Sequence, residues 1–378
     1  MTSPTLTLGS ILIAYSPTFS LLLLLVFQKP QLVILAVCSA FAYLLSALLS
    51  SIAWLVTSAI IGNAIESNGD NDDDSGSSGG GNGGIGTLLA LAIPGVLCQM
   101  IVRCLFVNGY FRVENVIRRS VAKHEEEEIA AANNASNNNS DGNSNNNNNN
   151  TPSETNALQL QLNDLSCSIA SGCGYALLHA LFLYGTLLAS ESGESNSYNE
   201  GAYGGGGGST GYGGTLYQAS CGGIPSLING ALISCMFSIL DVMWMMLCFF
   251  GMRRRSSSSS QLNNNASTSP IASPGPSTIQ SLLRGLACRG LDDTPSGGNA
   301  GLLLVGITHL VASLVLAPNA HEDGCRISLP LLGGVVLWVA MALRRVASEG
   351  RFLPEDQRRR IQGMRLGLRS VGRTHHVE

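Results

Sequence analysis

Seven stretches of this chain run for 17 to 31 residues with almost no charged side chain, at 6–27, 31–61, 85–106, 165–189, 224–251, 301–317 and 327–343. A helix needs about 20 predominantly apolar residues to cross a bilayer's hydrocarbon core. Within that core every backbone N–H and C=O must be paired internally, which leaves helices or closed barrels as the spanning structures. The runs are too long for barrel strands and lack period-two alternation. They predict an all-α membrane protein with seven transmembrane helices. Composition agrees: 45% of the residues are hydrophobic and only 12% are charged, against about 25% charged in a typical soluble domain.

The first segment is preceded by no Lys or Arg, and its apolar run exceeds the core of a secretory signal, so it reads as a retained helix. Lys and Arg set the expected orientation, because positive charge collects on the cytosolic side of short loops. With the N-terminus luminal or extracellular, nineteen of the 21 basic residues fall in cytosolic loops or in the C-terminal tail, leaving Arg103 within a helix end and Arg326 outside. An odd number of crossings then places the C-terminus in the cytosol. The Asn-x-Ser/Thr sequons at Asn134, Asn138, Asn149 and Asn265 all lie in loops assigned to the cytosol, where they would go unglycosylated. Of the ten cysteines, only Cys221 and Cys325 fall outside the helices on the luminal side, where a disulfide can persist. They are either a possible disulfide or two unrelated thiols.

Residues 1–346 thus form a transmembrane domain carrying low-complexity inserts at 63–84, 131–156, 190–223 and 256–299, followed by a basic tail at 347–378. The inserts are rich in Gly, Ser, Asp, Asn and Pro, and lack the apolar content that offsets the entropy of ordering. The acidic run at 124–128 reads as a solvated helix extension rather than a metal site. The five glycines at 204–208 follow no strand and precede no helix, so they are not a phosphate loop. No soluble catalytic domain is left over, and nothing calls for a metal, a cofactor or a nucleic-acid partner.

Function therefore rests on polar residues within the helices. Asp241 stands alone among uncharged residues from Ser234 to Phe250. A carboxylate at a helix centre costs roughly 2.5–3.5 kcal/mol to insert, so it calls for a partner or water. Asp241 lies about 15 Å from the Gly251 end of its segment, and His309 about 12 Å from the Gly301 end of the next, at 1.5 Å per residue. The two depths predict a buried polar pair, Asp241 with His309. Such a pair serves either as interhelical packing or as a proton relay. On the fourth segment Ser168, Gly172, Ala176 and Ala180 recur every four residues with Asp164 at the edge, a small-residue face that lets another backbone approach. His179, on the same segment, reads as a lone packed or lumen-facing histidine. Gln99 and Arg103 lie one turn apart near the end of the third segment, where Arg103 can snorkel to the headgroups; anchoring with local bonding competes evenly with a contact to another subunit.

Two enzymatic readings compete. Ser171 in the run Ile169–Gly172, with His309, resembles the dyad of rhomboid-type intramembrane serine proteases, since a serine needs an adjacent base to act as nucleophile. The position of that motif's first glycine is Ile169 here. An intramembrane aspartyl protease needs two carboxylates to share its proton, and Asp241 has only Asp164, at a helix end, as a second. A seven-helix receptor or transporter stays open on architecture, which does not establish function.

The helices also resemble a known family. The runs Leu8–Val26 and Leu44–Val56, LCQMIVRCLF at Leu97–Phe106, LSCSIASG at Leu165–Gly172, LDVMW at Leu240–Trp244 and GITHL at Gly306–Leu310 are similar to the anterior pharynx-defective (Aph) subunit of γ-secretase. Gln99 and Arg103 match that family's spaced Gln and Arg. Where the family's fourth helix carries three glycines four apart, this chain reads Asp164, Ser168 and Gly172. Of the family's two intramembrane histidines only His309 matches, and Asp241 stands where the first would be. The resemblance implies a non-catalytic scaffold subunit of an intramembrane aspartyl protease complex that cuts single-span membrane proteins. It implies presenilin as the catalytic partner, nicastrin and presenilin enhancer as the other subunits, membrane lipids as surroundings, and residence in the endoplasmic reticulum, Golgi, endosomal or plasma membrane. It also casts the Asp241–His309 pair and the face of the fourth helix as assembly sites.

Overall fold

The computed structural model describes residues 4–66, 85–137, 164–194, 224–264, 295–320 and 324–348. The described residues are almost entirely helical. The helices are α1 (Pro4–Leu21), continued by a π-helical turn at Leu22–Val26, α2 (Pro30–Glu66), α3 (Ile85–Asn137), α4 (Asp164–Glu194), α5 (Ser226–Asn264), α6 (Pro295–Val315) and α7 (Cys325–Ser348). Each contains a stretch long and apolar enough to cross a membrane: Pro4–Val26, Pro30–Ile60, Ala92–Val121, Asp164–Ala189, Ser226–Arg254, Gly298–Asn319 and Cys325–Ala347.

Sequence chemistry sets several boundaries. Pro30 opens α2, where its missing N–H costs nothing and its fixed φ suits the first helical turn, and the Lys29 carbonyl accepts from Leu32 N at 3.0 Å. One span moves. The third apolar stretch reaches further than 106, over Ala92–Val121, because the helix does not end at Phe106 but runs on to Asn137. α3 thereby carries the acidic run outward, with His124, Glu126 and Glu127 exposed. The low-complexity inserts and the basic tail lie mostly outside the described residues, as does Cys221.

α5 is the hub: 72% of its apolar window is buried, against 22–50% for the other six spans. It packs against α1, α3, α4, α6 and α7, while α4 bridges α1, α2 and α5. Trp244, Met245, Leu247 and Phe249 on α5 form the middle of the main core. Large apolar side chains on the outer helix faces, such as Leu24, Ile34, Phe41, Leu105 and Val116, are exposed, as expected of surfaces that meet lipid rather than water. Lys29, Arg118, Arg253 and Arg345 lie at one end of the bundle, and Arg326 and Cys325 at the other.

Glycines on α4 fix two close approaches. A Cβ at Gly172 would sit 2.7 Å from Val242 Cα on α5, and one at Gly174 would sit 1.9 Å from Ala36 O and 2.3 Å from Ser39 Oγ on α2. Small residues at such points let backbones touch and gain dispersion and weak polar contacts that lipid cannot supply. Gly174→Leu must push α2 and α4 apart, and forced overpacking typically costs about 1–3 kcal/mol. We expect a lower thermal midpoint in mild detergent for Gly174→Leu. Gly109→Leu, where a new Cβ meets nothing within 4 Å, should melt like the wild type. Equal midpoints for the two variants would show that the α2–α4 approach carries no stability.

Candidate functional site

Asp241 is fully buried and lies between Arg103 and His179, which stand on different helices. Its Oδ1 accepts from Arg103 Nη2 of α3, and its Oδ2 is 2.5 Å from His179 Nδ1 of α4. Arg103 and Asp241 have no exposed side-chain surface, and the His179 side chain is 8% exposed. The carboxylate's two oxygens thus receive one partner each, and the charge of Asp241 is offset by a guanidinium that never loses its proton.

Aromatic rings enclose the group. The Arg103 guanidinium carbon lies 4.3 Å from the centroid of Tyr175 and 5.1 Å from that of Trp244, so the cation, whose Nε and Nη1 make no hydrogen bond, is held over electron-rich ring faces. Tyr175 is held by a 2.9 Å hydrogen bond with Ser46 of α2 and packs edge-on against Tyr43 at 4.9 Å. Tyr43 also stacks on His179 at 5.2 Å. The network ties α2, α3, α4 and α5 together at one depth.

His309 makes no hydrogen bond with Asp241, the contact the depth argument expected. It stacks on Trp244 at 4.4 Å with 27° between the rings, its Nδ1 makes no hydrogen bond, and Trp244 Nε1 donates to Thr308 Oγ1 at 2.8 Å. The depth was sound, since a Cβ at Gly251 would sit 2.8 Å from Gly298 O and so sets the two helices level. Rotation decides the outcome: His309 faces the residue one turn along α5 from Asp241. α6 therefore joins the network through Trp244.

Arg103 bonds locally, to Asp241, rather than reaching the headgroups. With the apolar stretch of α3 running over Ala92–Val121, it lies well inside that stretch and is fully buried. Gln99, one turn away, is partly buried with an unbonded Oε1. The small-residue face of α4 is turned inward: Ser168, Gly172, Ala176 and Ala180 are all buried, with Gly172 against α5. Asp164 pairs with Arg253 of α5, which also reaches Glu114 of α3 at 3.0 Å, and Glu114 holds Arg118 at 2.6 Å. This second clamp joins α3, α4 and α5 at the basic end of the bundle. Ser171 donates to Cys167 O at 2.7 Å and makes no hydrogen bond with His309. Cys325 is disulfide-bonded.

Sequence reasoning missed His179 and Glu114. His179 was legible in one respect, since it lies seven residues after Gly172, two turns along the face already identified. Geometry closes the rest. Side chains lean toward the N-terminus of their own helix, and α4 and α5 run antiparallel, so His179 and Asp241 lean toward each other.

Removing Asp241 leaves Arg103 buried without its counter-charge, a change that typically costs about 3–5 kcal/mol. Asp241→Ala should therefore lower the thermal midpoint far more than His309→Ala, which loses a ring stack worth about 0.5–1.5 kcal/mol. Arg103→Met combined with Asp241→Leu should recover much of the loss, because replacing both partners removes the uncompensated charge. Additive effects in this double-mutant cycle would show that the pair is not coupled.

No curated protein matches the chain in a sequence comparison. The family model described as Aph-1 protein matches residues 5–263, which takes in α1 through α5 and therefore Arg103, Asp164, His179, Asp241 and Arg253. With seven helices able to span a membrane around this network, the chain belongs to the Aph-1 family, the multi-pass membrane subunits of γ-secretase.

Proposed function

We propose that this chain is a non-catalytic scaffold subunit that stabilises presenilin for the cleavage of single-span membrane proteins, with nicastrin and presenilin enhancer as the remaining partners. The observation that carries this reading is that Asp241 is bonded on both oxygens within the bundle. A catalytic carboxylate needs a second acid and access to substrate; this one holds helices at fixed rotation. Its place in assembly is then indirect, as the lock that keeps the outer faces in register for their neighbours. The rhomboid-like alternative draws no support from the geometry, since Ser171 is bonded to its own helix and His309 to a tryptophan face. The charge asymmetry of the two ends supports an N-terminus in the lumen or outside the cell and a C-terminus in the cytosol.

The luminal ends are joined, in this reading, by a disulfide between Cys221 and Cys325. Seven other cysteines are thiols and Cys325 is bonded, which leaves Cys221 and Cys288, both outside the described residues. Cys288 is seven residues before Pro295, a reach of at most about 25 Å. The 21 residues of α6 span about 32 Å, and Cys325 lies past their far end. A non-reducing digest should yield a linked peptide containing Cys221 and Cys325; a link to Cys288 would overturn both the pairing and the topology.

The functional test is affinity capture of the tagged protein in mild detergent with mass spectrometry of what stays bound. Presenilin and nicastrin should come down with the wild type and be much reduced with Asp241→Ala, and should return with Arg103→Met/Asp241→Leu. A stable, monodisperse wild-type protein that captures neither subunit sinks the scaffold reading.

A further inference from the structure

α3 and α6 splay apart on the outside of the bundle and leave a groove of about 470 Å³, walled by α3 from Ile93 to Met100 and by α6 from Asn299 to Leu310. Its floor is Gly306, where a Cβ would meet nothing within 4 Å. The lining holds no charged residue, and its polar side chain, Asn299, is at one end. That end coincides with the start of the apolar stretch Gly298–Asn319. From Asn299 the groove runs about 16 Å inward at 1.5 Å per residue. Polarity therefore follows the groove as it follows a bilayer lipid: polar at headgroup depth, then apolar toward the middle of the membrane.

We infer that this groove is a binding site for one acyl chain of a membrane glycerophospholipid, with the headgroup region beside Asn299 and the chain lying over Gly306 toward Leu310. The groove's polarity, apolar from Leu302 to Leu310 with Asn299 at one end, matches a single acyl chain and its headgroup region. An empty groove forfeits the dispersion contacts of its lining atoms, and water finds no set of polar partners along it. Since lipid tails gain nothing hydrophobic by moving from bilayer to protein, the chain is held by shape, and the site exchanges with the bulk lipid. The inference goes beyond the subunit reading and does not rest on it, because the groove belongs to this chain alone.

The test labels membranes containing the full-length protein with a phosphatidylcholine carrying a photoactivatable diazirine in the middle of one acyl chain, then maps adducts by mass spectrometry. Adducts should concentrate on the groove residues Leu97, Leu303 and Ile307, above those on outward residues of α2 such as Ile34 and Phe41. Gly306→Leu fills the floor and should cut groove adducts severalfold while leaving those on α2 unchanged. Leu303→Trp, at a side chain already 39% exposed, should act likewise and guards against a folding defect in the first variant. Adducts spread evenly over the lipid-facing helices, or groove adducts unaffected by both variants, would overturn the assignment. So would a groove protected from lipid because a protein segment cross-links there. The capture of presenilin and nicastrin is a separate readout, so failure here leaves the scaffold reading standing.

Discussion

The contact on which the rest of the bundle depends is the charge pairing of Arg103 with Asp241, completed by His179. Either ion alone at that depth is costly, since moving an uncompensated charge from water to the bilayer centre takes roughly 2.5–3.5 kcal/mol on insertion scales. Placed together they require α3, α4 and α5 to hold one rotation and one depth, and the surrounding rings of Tyr43, Tyr175 and Trp244 add α2 and, through Thr308 and His309, α6. A buried ion pair is weak evidence for net stability, because dehydration offsets much of the attraction. Its best-supported use is to reject alternative packings. Helices in lipid have little hydrophobic reason to choose one face over another, and a directional pair supplies that choice.

A second clamp, Arg253 between Asp164 and Glu114, repeats the arrangement near the membrane surface. α3, α4 and α5 are therefore pinned at two depths, which restrains tilt as well as rotation. The close approaches at Gly172 and Gly174 lie between and beside the clamps. Together these make an interior in which Asp241, Asp164 and Glu114 are each paired with an arginine, while the outer faces stay apolar. That division suits a subunit whose contribution is shape.

The sequence showed the most where one dimension was enough. The seven spans, the central carboxylate and the inward face of α4 are properties of periodicity and position along a helix, and each appears in the structure. The chosen partner of Asp241 does not. Depth along the axis was weighed for His309 alone, and His179 read as a lone packed or lumen-facing histidine. The opposed lean of side chains on antiparallel helices brings His179 to Asp241. Arg103 was misplaced because ending the third span at Phe106 put it at the surface, whereas an apolar stretch reaching Val121 puts it in the core.

By itself, then, the chain's pattern of apolar runs determined a seven-helix membrane protein, because hydrocarbon admits few other ways to satisfy the backbone. It also determined that Asp241 must be paired, because the cost of a lone charge is independent of fold. Which groups pair with it was decided only in the tertiary structure. Helix rotation and relative register come from interactions between residues more than forty positions apart, and no local pattern in the sequence encodes the angle at which two helices meet.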